Sequence, residues 1–364
     1  RRRWQWEQTH LPVKIANYEL MLRDADLFRG ERLHFDLVVL DEAQRIKNRA
    51  SSTSQVVRSV SRSRSWALTG TPIENSPDDL VAIFDFLMPG YLSSDMRARR
   101  MGRAVSDHVL RRTKGAVLTD LPPRLYRDAE LDLSPQQWDA YRTAEEQGVV
   151  RLAGMGRKLT IQHVFELVLR LKQICNFDPA TGASSKLERL EADIEEVAAS
   201  GSKAIVFSQW VKPLEAIRDR LGCYRPLEYH GKIPSRKRDG IIEQFRNDPS
   251  SHVLLMSYGA GSVGLNLQFC SYVFLFDRWW NPAVEDQAIN RAHRIGVEGP
   301  VTVTRMLTLG TIEERIHQVL EDKREMFNSV FSETGCPTNL GMNQQEIFGL
   351  FNLDIPAADK DAAA

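Results

Sequence analysis

The stretch that indicates the fold most directly is Phe35-Asp36-Leu37-Val38-Val39-Leu40-Asp41-Glu42-Ala43-Gln44. Its first six residues are mostly apolar and a polar turn follows at once, which is typical of a buried strand in a parallel sheet. The same apolar pattern recurs along the chain in four more segments, Ser65–Leu68, Lys203–Phe207, His252–Met256 and Tyr272–Phe276. The sequence therefore predicts short buried strands as the centre of the fold.

Helical patterns lie between the later strands, at Pro213–Leu221, Arg236–Phe245 and Val284–His293. Strands that alternate with helices predict α/β domains with parallel sheets, whose sites lie at the carboxyl ends of the strands. Residues 91–200 are largely helical in pattern and include an amphipathic run, Gln162–Cys175. We therefore interpret residues 1–90 as part of a first lobe, 91–200 as a helical insertion and linker, 201–330 as a second lobe, and 331–364 as a tail with a short helix, Asn343–Asn352.

Charge in this chain is balanced, with 48 Lys and Arg against 48 Asp and Glu. A nucleic-acid-binding protein of zero net charge must cluster its basic residues. The stretch 97–127 does so, since it holds nine Lys or Arg and only two acids, Asp107 and Asp120. The alternative is a solvated helical face of no special function.

Cysteine usage and hydropathy narrow the class of protein further. The cysteines are far apart, at Cys175, Cys223, Cys270 and Cys336, which argues against a zinc site or disulfide framework and suits a reducing cytoplasm. We find no apolar run near the ~18 residues of a membrane span and no signal peptide, so we expect no membrane partner. The first residue is Arg rather than Met, so we expect the natural start to lie upstream.

Two acids follow the first strand, Asp41 and Glu42. Hydrolysis of ATP requires Mg²⁺ near the β- and γ-phosphates and a carboxylate that orients the attacking water. Asp41 suits the metal, through water, and Glu42 suits the water. The alternative is that these acids cap the next helix.

Polar residues also follow the other strands. Leu68-Thr69-Gly70-Thr71-Pro72 forms a tight hydroxyl-rich turn, Ser208 ends Ile205–Ser208, and Tyr229-His230-Gly231 precedes a basic run. A glycine-rich loop, Ser257-Tyr258-Gly259-Ala260-Gly261-Ser262-Val263-Gly264, permits close backbone approach to a phosphate. Each of these segments alone also fits an ordinary strand end without a ligand.

The segment from Asp277 to Gly296 contains Gln287, Arg291 and Arg294, which share one face if residues 284–293 continue as a helix. Arginines suit a triphosphate because their fork is planar and always charged. A salt-bridged surface helix is the alternative. For Trp279 and Trp280 the alternatives are stacking on a base and packing at the lobe surface, and we favour packing.

The order of these segments resembles the Swi/Snf-type ATPases of the second helicase superfamily, with their DEAD/DEAH-like helicase core, and most resembles the bacterial and archaeal branch. The matching pieces are DEAQ at 41–44, LTGTPIEN at 68–75, IVFSQW at 205–210, GAGSVGLNLQ at 259–268 and DRWWNPAVEDQAINRAHRIG at 277–296. The resemblance extends over roughly residues 10–330.

The resemblance implies two RecA-like lobes of the P-loop NTPase fold, with ATP and Mg²⁺ as cofactors. It implies Glu42, Arg291 and Arg294 as catalytic residues, Asp41 as the metal ligand, and Gln44, Gly264 and Gln287 as further nucleotide-binding residues. The nucleic-acid-binding residues that it implies are Thr69, Gly70, Thr71, Ser208, His230, Gly231, Ser257 and Gly261, with Thr69 to Thr71 coupling the ATP state to the DNA path.

The sequence departs from the family pattern in three places. Gln44 stands where His is commoner, which we expect to affect coupling more than chemistry, and Val297 stands where Gln is usual. No Gly-Lys-Thr or Gly-Lys-Ser precedes Asp41, so the P-loop lysine cannot be placed. We therefore expect an incomplete first lobe, truncated at its N-terminus, in a fragment that by itself hydrolyses little ATP.

The leading hypothesis is an ATP-dependent translocase on double-stranded DNA, which contacts the backbone without reading sequence. We expect a cytoplasmic, nucleoid-associated protein of a bacterial or archaeal cell, with a protein partner on DNA left open. One alternative is a nucleic-acid-binding regulatory protein that never hydrolyses ATP, and another is a true strand-separating helicase.

Overall fold

The structure is a computed structural model that describes residues 6–7, 11–28, 33–70, 77–110, 118, 120–261, 264–331 and 344–353. The chain divides into two compact units. The first unit comprises residues 1–112 and 324–341, and the second comprises residues 113–323 and 342–364.

In the first unit, two parallel strands form a small sheet, β1 (His34–Leu40) and β2 (Ser61–Ala67), in which Leu40 pairs with Ala67. A 3₁₀ turn, Ala43–Ile46, follows β1. The helices of this unit are α1 (Tyr18–Arg23), α2 (Ala25–Phe28), α3 (Ser52–Ser59), α4 (Pro77–Leu87) and α5 (Ala98–Val105).

Strand β2 begins earlier than the sequence analysis predicted, because its polar first half has a structural use. The Arg62 guanidinium lies 4.0 Å from the ring centroid of Phe86 and donates hydrogen bonds to the carbonyls of Val60 and Phe86. Arg62 can therefore take the place of an apolar residue in this strand, because its aliphatic stem packs while its guanidinium is hydrogen-bonded.

In the second unit, a six-stranded sheet has the order β3-β8-β7-β4-β6-β5, and every pair in it is parallel. Its strands are β3 (Arg124–Leu131), β4 (Ala204–Ser208), β5 (Leu227–Tyr229), β6 (Val253–Ser257), β7 (Tyr272–Leu275) and β8 (Val301–Thr308).

The helices of the second unit cover both faces of the sheet and form a helical layer beside it. They are α6 (Pro135–Gly154), α7 (Ile161–Asn176), α8 (Ser185–Ala199), α9 (Val211–Arg220), α10 (Ser235–Asn247), α11 (Tyr258–Gly261), α12 (Pro282–Ile289), α13 (Ile312–Phe331) and α14 (Gln344–Gly349). Residues 324–331, at the end of α13, are assigned to the first unit. Two 3₁₀ turns lie at Gly156–Lys158 and Gly222–Tyr224.

The segment 91–200 is divided between the two units. Residues 91–112 belong to the first unit, and the remainder belongs to the second, where it contributes β3 and three helices. The amphipathic run at Gln162–Cys175 is confirmed as α7, which buries Val164, Val168 and Leu171. The expected tail helix is confirmed in part as α14, whose Phe348 is buried in the helical layer.

Candidate nucleotide and nucleic-acid sites

The Asp41–Glu42 turn lies at the carboxyl end of β1, beside the segment that follows β2. The Leu68 N–H donates to the Leu40 carbonyl over 2.7 Å, and the Ala43 N–H donates to the Leu68 carbonyl over 2.9 Å. Glu42 adopts a left-handed conformation with φ of 50°. A residue with a side chain rarely adopts this conformation, and such strain is concentrated at functional sites.

A chain of side-chain hydrogen bonds joins Glu42 to Thr69 through Gln44. The Gln44 amide nitrogen donates to Glu42 Oε2 over 2.7 Å, and the Thr69 hydroxyl donates to Gln44 Oε1 over 2.6 Å. Because one amide carries both a donor and an acceptor, Gln44 can serve both neighbours at once. We call this Glu42–Gln44–Thr69 chain the carboxylate relay. The sequence analysis identified all three residues but not their connection.

The surroundings of Asp41 are compatible with a magnesium ion. Its side chain is exposed, and Oδ1 accepts the Glu42 N–H over 3.0 Å, which orients the carboxylate. Within the described residues, no group of three His, Cys, Asp or Glu side chains gathers as a metal cluster. Mg²⁺ needs no such cluster, because it keeps several waters and is commonly held by one or two carboxylates plus substrate phosphates.

Tyr18 supports this turn from α1. Its hydroxyl donates to the Asp41 carbonyl over 2.8 Å. Burial raises the pKa of Tyr18 to about 12, with the Asp41 and Glu42 charges acting in the same direction and Arg45 against them. The phenol therefore stays a protonated donor throughout the physiological range.

Of the other residues predicted here, Gly70 has open space around it and Thr71 lies outside the described residues.

In the second unit, the predicted nucleic-acid-binding residues meet at one edge of the sheet. Ser208 and Ser257 are register partners at the carboxyl ends of β4 and β6, and His230 and Gly231 directly follow the adjacent β5. His230 is buried and Gly231 is exposed, while Gly261 ends α11. The sheet order thus brings together residues that are up to 53 positions apart in the chain.

Ser208 does not present its hydroxyl to solvent. The hydroxyl donates to Asp277 Oδ2 over 2.5 Å, and the Gln209 N–H donates to Asp277 Oδ1 over 2.8 Å. Burial raises the pKa of Asp277, against the lowering effects of Lys172 and of these hydrogen bonds. Ser208 therefore holds the strand ends in place, and its contact with nucleic acid stays a prediction.

The second predicted cluster contains Gln287, Arg291 and Arg294. The prediction of a helix through His293 is wrong, since α12 ends at Ile289. The Arg291 N–H bonds the Ala288 carbonyl over 3.1 Å, which is a tighter turn than an α-helix makes. The three side chains therefore do not share the face of one uninterrupted helix.

The arginine segment makes two contacts with the residues that follow the glycine-rich loop. The Leu267 N–H donates to the Arg291 carbonyl over 2.9 Å, and Arg294 Nη1 donates to Asn266 Oδ1 over 2.8 Å. Gly264, two residues earlier, has open space where a side chain would stand. Loop contacts, and not helical periodicity, thus hold the segment of Arg291 and Arg294 against the residues that follow Gly264.

The sequence analysis missed a group of buried polar side chains behind the edge of the sheet. Lys172, Asn176 and Lys186 are all buried and lie on α7 and α8. Asn176 donates to Asp277 Oδ2 over 3.2 Å and accepts from Lys186 over 3.0 Å. The available signal for Lys172 was a lysine directly after Leu171 in the amphipathic run Gln162–Cys175.

The two tryptophans after β7 pack within the unit, as we favoured from the sequence. The Trp279 ring lies 5.4 Å from that of Tyr258, and the Trp280 ring lies 5.4 Å from that of Phe165. Arg278, beside them, makes a buried two-point contact with Glu285 at 2.7 and 2.9 Å. Burial alone would lower the pKa of Arg278, but the Glu285 charge outweighs it and the pKa is raised.

The basic stretch 97–127 has two different parts. Arg97, the N-cap of α5, is exposed together with Arg100 and Arg103 on the helix, and no carboxylate of the described residues pairs with them. We call these three residues the α5 arginine face. Arg124 and Arg127 instead pair with Asp286 and Asp193, at 3.4 and 3.8 Å. Residues 111–117 lie outside the described residues.

The described helices include none that combines the length and the apolar character needed to cross a membrane.

The chain is similar to known proteins over most of its length. Residues 3–180 match the model of the SNF2-related domain, and residues 185–296 match the model of the helicase conserved C-terminal domain. The Sulfolobus solfataricus SWI2/SNF2 ATPase core, solved in complex with double-stranded DNA, is 31% identical in sequence. The match covers 93% of this chain and 76% of that chain, with a TM-score of 0.51.

Curated relatives include an ATP-dependent helicase of Mycoplasma pneumoniae, 33% identical over 348 residues, and the Bacillus subtilis helicase/translocase YwqA, 33% identical over 381 residues. These matches cover 90% and 95% of this chain but 33% and 40% of the relatives. The chain thus spans little more than a third of their length. The predicted fold class, parallel α/β sheets in RecA-like lobes, is confirmed by the likeness to Snf2 ATPase cores, and the chain belongs to the Swi2/Snf2 family of ATP-dependent helicases.

Proposed function

We propose that this chain provides the motor of a DNA-stimulated ATPase that translocates on double-stranded DNA. The observation that carries the proposal is the carboxylate relay, which connects the proposed water-orienting carboxylate of Glu42 to Thr69, beyond the end of the neighbouring strand. A side-chain path of this kind gives a change at the nucleotide a direct route to a second element. The Sulfolobus relative, bound to double-stranded DNA, supports the choice of polymer.

The chemistry follows from the positions of the two acids. Asp41 would hold Mg²⁺ through water, and the ion supplies charge neutralisation at the β- and γ-phosphates when bound. Glu42 accepts a proton from the attacking water and orients it, and the Gln44 amide limits the orientations that the carboxylate can adopt. Arg291 and Arg294 would neutralise charge that develops on the phosphates, which can contribute about 10³–10⁵ in rate.

DNA contact is proposed at the edge formed by the ends of β4, β5 and β6. Backbone N–H groups and hydroxyls at such an edge can bind phosphates, which carry no sequence information. Binding should therefore be nonspecific and should weaken as salt increases.

The test is ATP turnover by the full-length protein that contains this chain, measured with and without a random-sequence DNA duplex. We expect DNA to stimulate turnover, and we expect Glu42→Gln to abolish turnover while leaving DNA binding intact. Turnover that survives Glu42→Gln, or that ignores DNA, would contradict the proposal. DNA binding without any turnover in the unsubstituted protein would instead support the non-hydrolysing alternative.

Translocation is separated from strand separation by two substrates. A third strand bound in the major groove of a duplex is displaced by any motor that moves along the duplex, whereas a forked duplex is separated only by a true helicase. We expect ATP-dependent displacement of the third strand without separation of the fork. Separation of the fork would identify a strand-separating helicase instead.

A further inference from the structure

Lys172 connects the two chain segments that leave the sheet after β4 and β7. It lies on α7 with 1% of its surface exposed. Its Nζ donates to the Arg278 carbonyl over 2.6 Å and to Gln209 Oε1 over 3.2 Å. Gln209 directly follows β4, and Arg278 lies three residues beyond β7. A single ammonium group therefore fixes the distance between these two strand ends.

The same ammonium group lies against two indole rings. Nζ is 4.6 Å from the ring centroid of Trp280 and 5.6 Å from that of Trp210. Both distances are within the range of cation–π attraction. Trp210 and Trp280 belong to the same two segments, and both are only half-buried. Lys172 therefore orients two large side chains whose remaining surface faces outward.

The charge of Lys172 has no carboxylate in contact with it among the described residues, since none lies within 4.0 Å of Nζ. Burial lowers its pKa, although the more distant Asp277 and Glu313 act in the opposite direction. A buried cation without a paired anion is costly for folding. Its partners, a carbonyl, an amide and two indoles, offset only part of that cost.

A second buried lysine in the same unit provides the comparison. Lys186 is fully buried on α8, and its Nζ lies 2.6 Å from Glu313 Oε1. It also donates to Asn176 and to the Phe276 carbonyl, each over 3.0 Å. Lys186 is thus a compensated ion pair within the core. Lys172 differs from it in charge compensation and in bonding to the segments after both β4 and β7, whereas Lys186 reaches only Phe276, directly after β7.

We propose that Lys172 is a positioning residue for DNA binding, which holds the segments carrying Trp210 and Trp280 in one fixed arrangement at the DNA-contacting edge. This inference rests on the proposed function, because it takes that edge to bind DNA. Lys172 itself touches no nucleic acid in this scheme. Residues whose burial is costly and only partly compensated are expected at functional sites, and Lys172 is such a residue.

The test compares Lys172→Met with Lys186→Met, two substitutions that remove one buried charge at nearly the same volume. Affinity for a fluorescently labelled random duplex is measured by anisotropy without nucleotide, and the melting temperature is measured alongside it. We expect Lys172→Met to bind DNA about tenfold more weakly, by analogy with the loss of a residue that orients the ligands of a metal site. Its melting temperature should fall less than that of Lys186→Met, because the nearest buried anion, Asp277, keeps its hydrogen bonds from Ser208, Gln209 and Asn176.

Lys186→Met should show the opposite result, with a clear loss of melting temperature because Glu313 is left buried without a cation. Lys172→Arg keeps the charge and the donors, so it should bind DNA more tightly than Lys172→Met. Equal affinity of the Met and Arg variants, or a melting temperature that falls as far as that of Lys186→Met, would overturn the inference. If the unsubstituted chain does not bind the duplex, the proposed function fails instead.

Discussion

Lys186 and Glu313 form an ion pair of 2.6 Å in which both side chains are fully buried. The other Glu313 oxygen accepts the Thr308 hydroxyl over 2.8 Å, so the pair joins α8, β8 and α13. Removing one member of such a pair leaves an uncompensated buried charge, whereas the intact pair adds little net stability over apolar packing. Replacing only Lys186 or only Glu313 is therefore costly for folding.

The first prediction concerns this pair. Glu313→Gln should lower the free energy of unfolding by about 3–5 kcal/mol, because Lys186 loses its anion. The double variant Lys186→Met with Glu313→Gln should be less destabilised than the sum of the two single variants. Urea denaturation measures all three, and Glu191→Gln, which removes an exposed partner of Arg220, is the control expected to show no measurable change. Additive effects in the buried pair would refute this interpretation.

A second prediction concerns the carboxylate relay. Thr69→Val keeps the shape of the side chain and removes the hydroxyl that donates to Gln44. We expect ATP turnover in the presence of DNA to fall severalfold, while turnover without DNA changes less, because the bond connects the two elements without touching the water. Thr53→Val on α3 is the matched control and should leave both rates unchanged. Equal loss of both rates would assign Thr69 to chemistry alone.

A third prediction concerns the α5 arginine face. If Arg97, Arg100 and Arg103 each neutralise one phosphate, replacing all three with Gln should reduce the slope of log affinity against log salt by about 2–3. The matched control replaces Arg218, Arg220 and Arg225 with Gln, which removes the same charge from arginines that already have acidic neighbours. That control should leave the slope nearly unchanged. Equal slopes for both triple variants would show that only net charge matters.

A fourth prediction follows from the raised pKa of Tyr18, about 12 against the usual 10. A group whose pKa is raised by folding contributes stability below its unfolded pKa, and that contribution is lost as the pH rises through the folded value. Between pH 10 and 12, the free energy of unfolding should therefore fall more steeply for the unsubstituted chain than for Tyr18→Phe. Parallel curves for the two proteins would show that this phenol is not protected in the native state.

Much of the second unit was predictable because its strands are buried on both faces. Segments such as Ile205–Phe207 are continuous in apolar residues, and that texture locates a central parallel strand without further information. Strand β3 was not predicted, because it is the outermost strand of the sheet and is largely exposed. Its charged and apolar residues are mixed and form no continuous apolar run. An exposed outer strand lacks the continuous apolar run on which this prediction depends.

The residues of the candidate site were easier to predict from the sequence than the hydrogen bonds that connect them. Sequence order placed Asp41 and Glu42 at a strand end and Arg291 on a helix, but the bond from Thr69 to Gln44 depends on the pairing of β1 with β2. The end of α12 at Ile289 was missed because tight turns continue the same apolar spacing for several residues. Lys172 was overlooked because its partners, Gln209 and Arg278, are 37 and 106 positions away.

The identity of residue 44 has a consequence for the conditions under which this motor can work. A histidine in the same place would gain a second donor on protonation near neutral pH and would lose its acceptor. The glutamine amide does not titrate, so its oxygen still faces Thr69 and its nitrogen still faces Glu42 when the surroundings become mildly acidic. The hydrogen bonds through Gln44 should therefore persist in mild acid, and any loss of ATP turnover in an acidified cell would have to arise elsewhere in the protein.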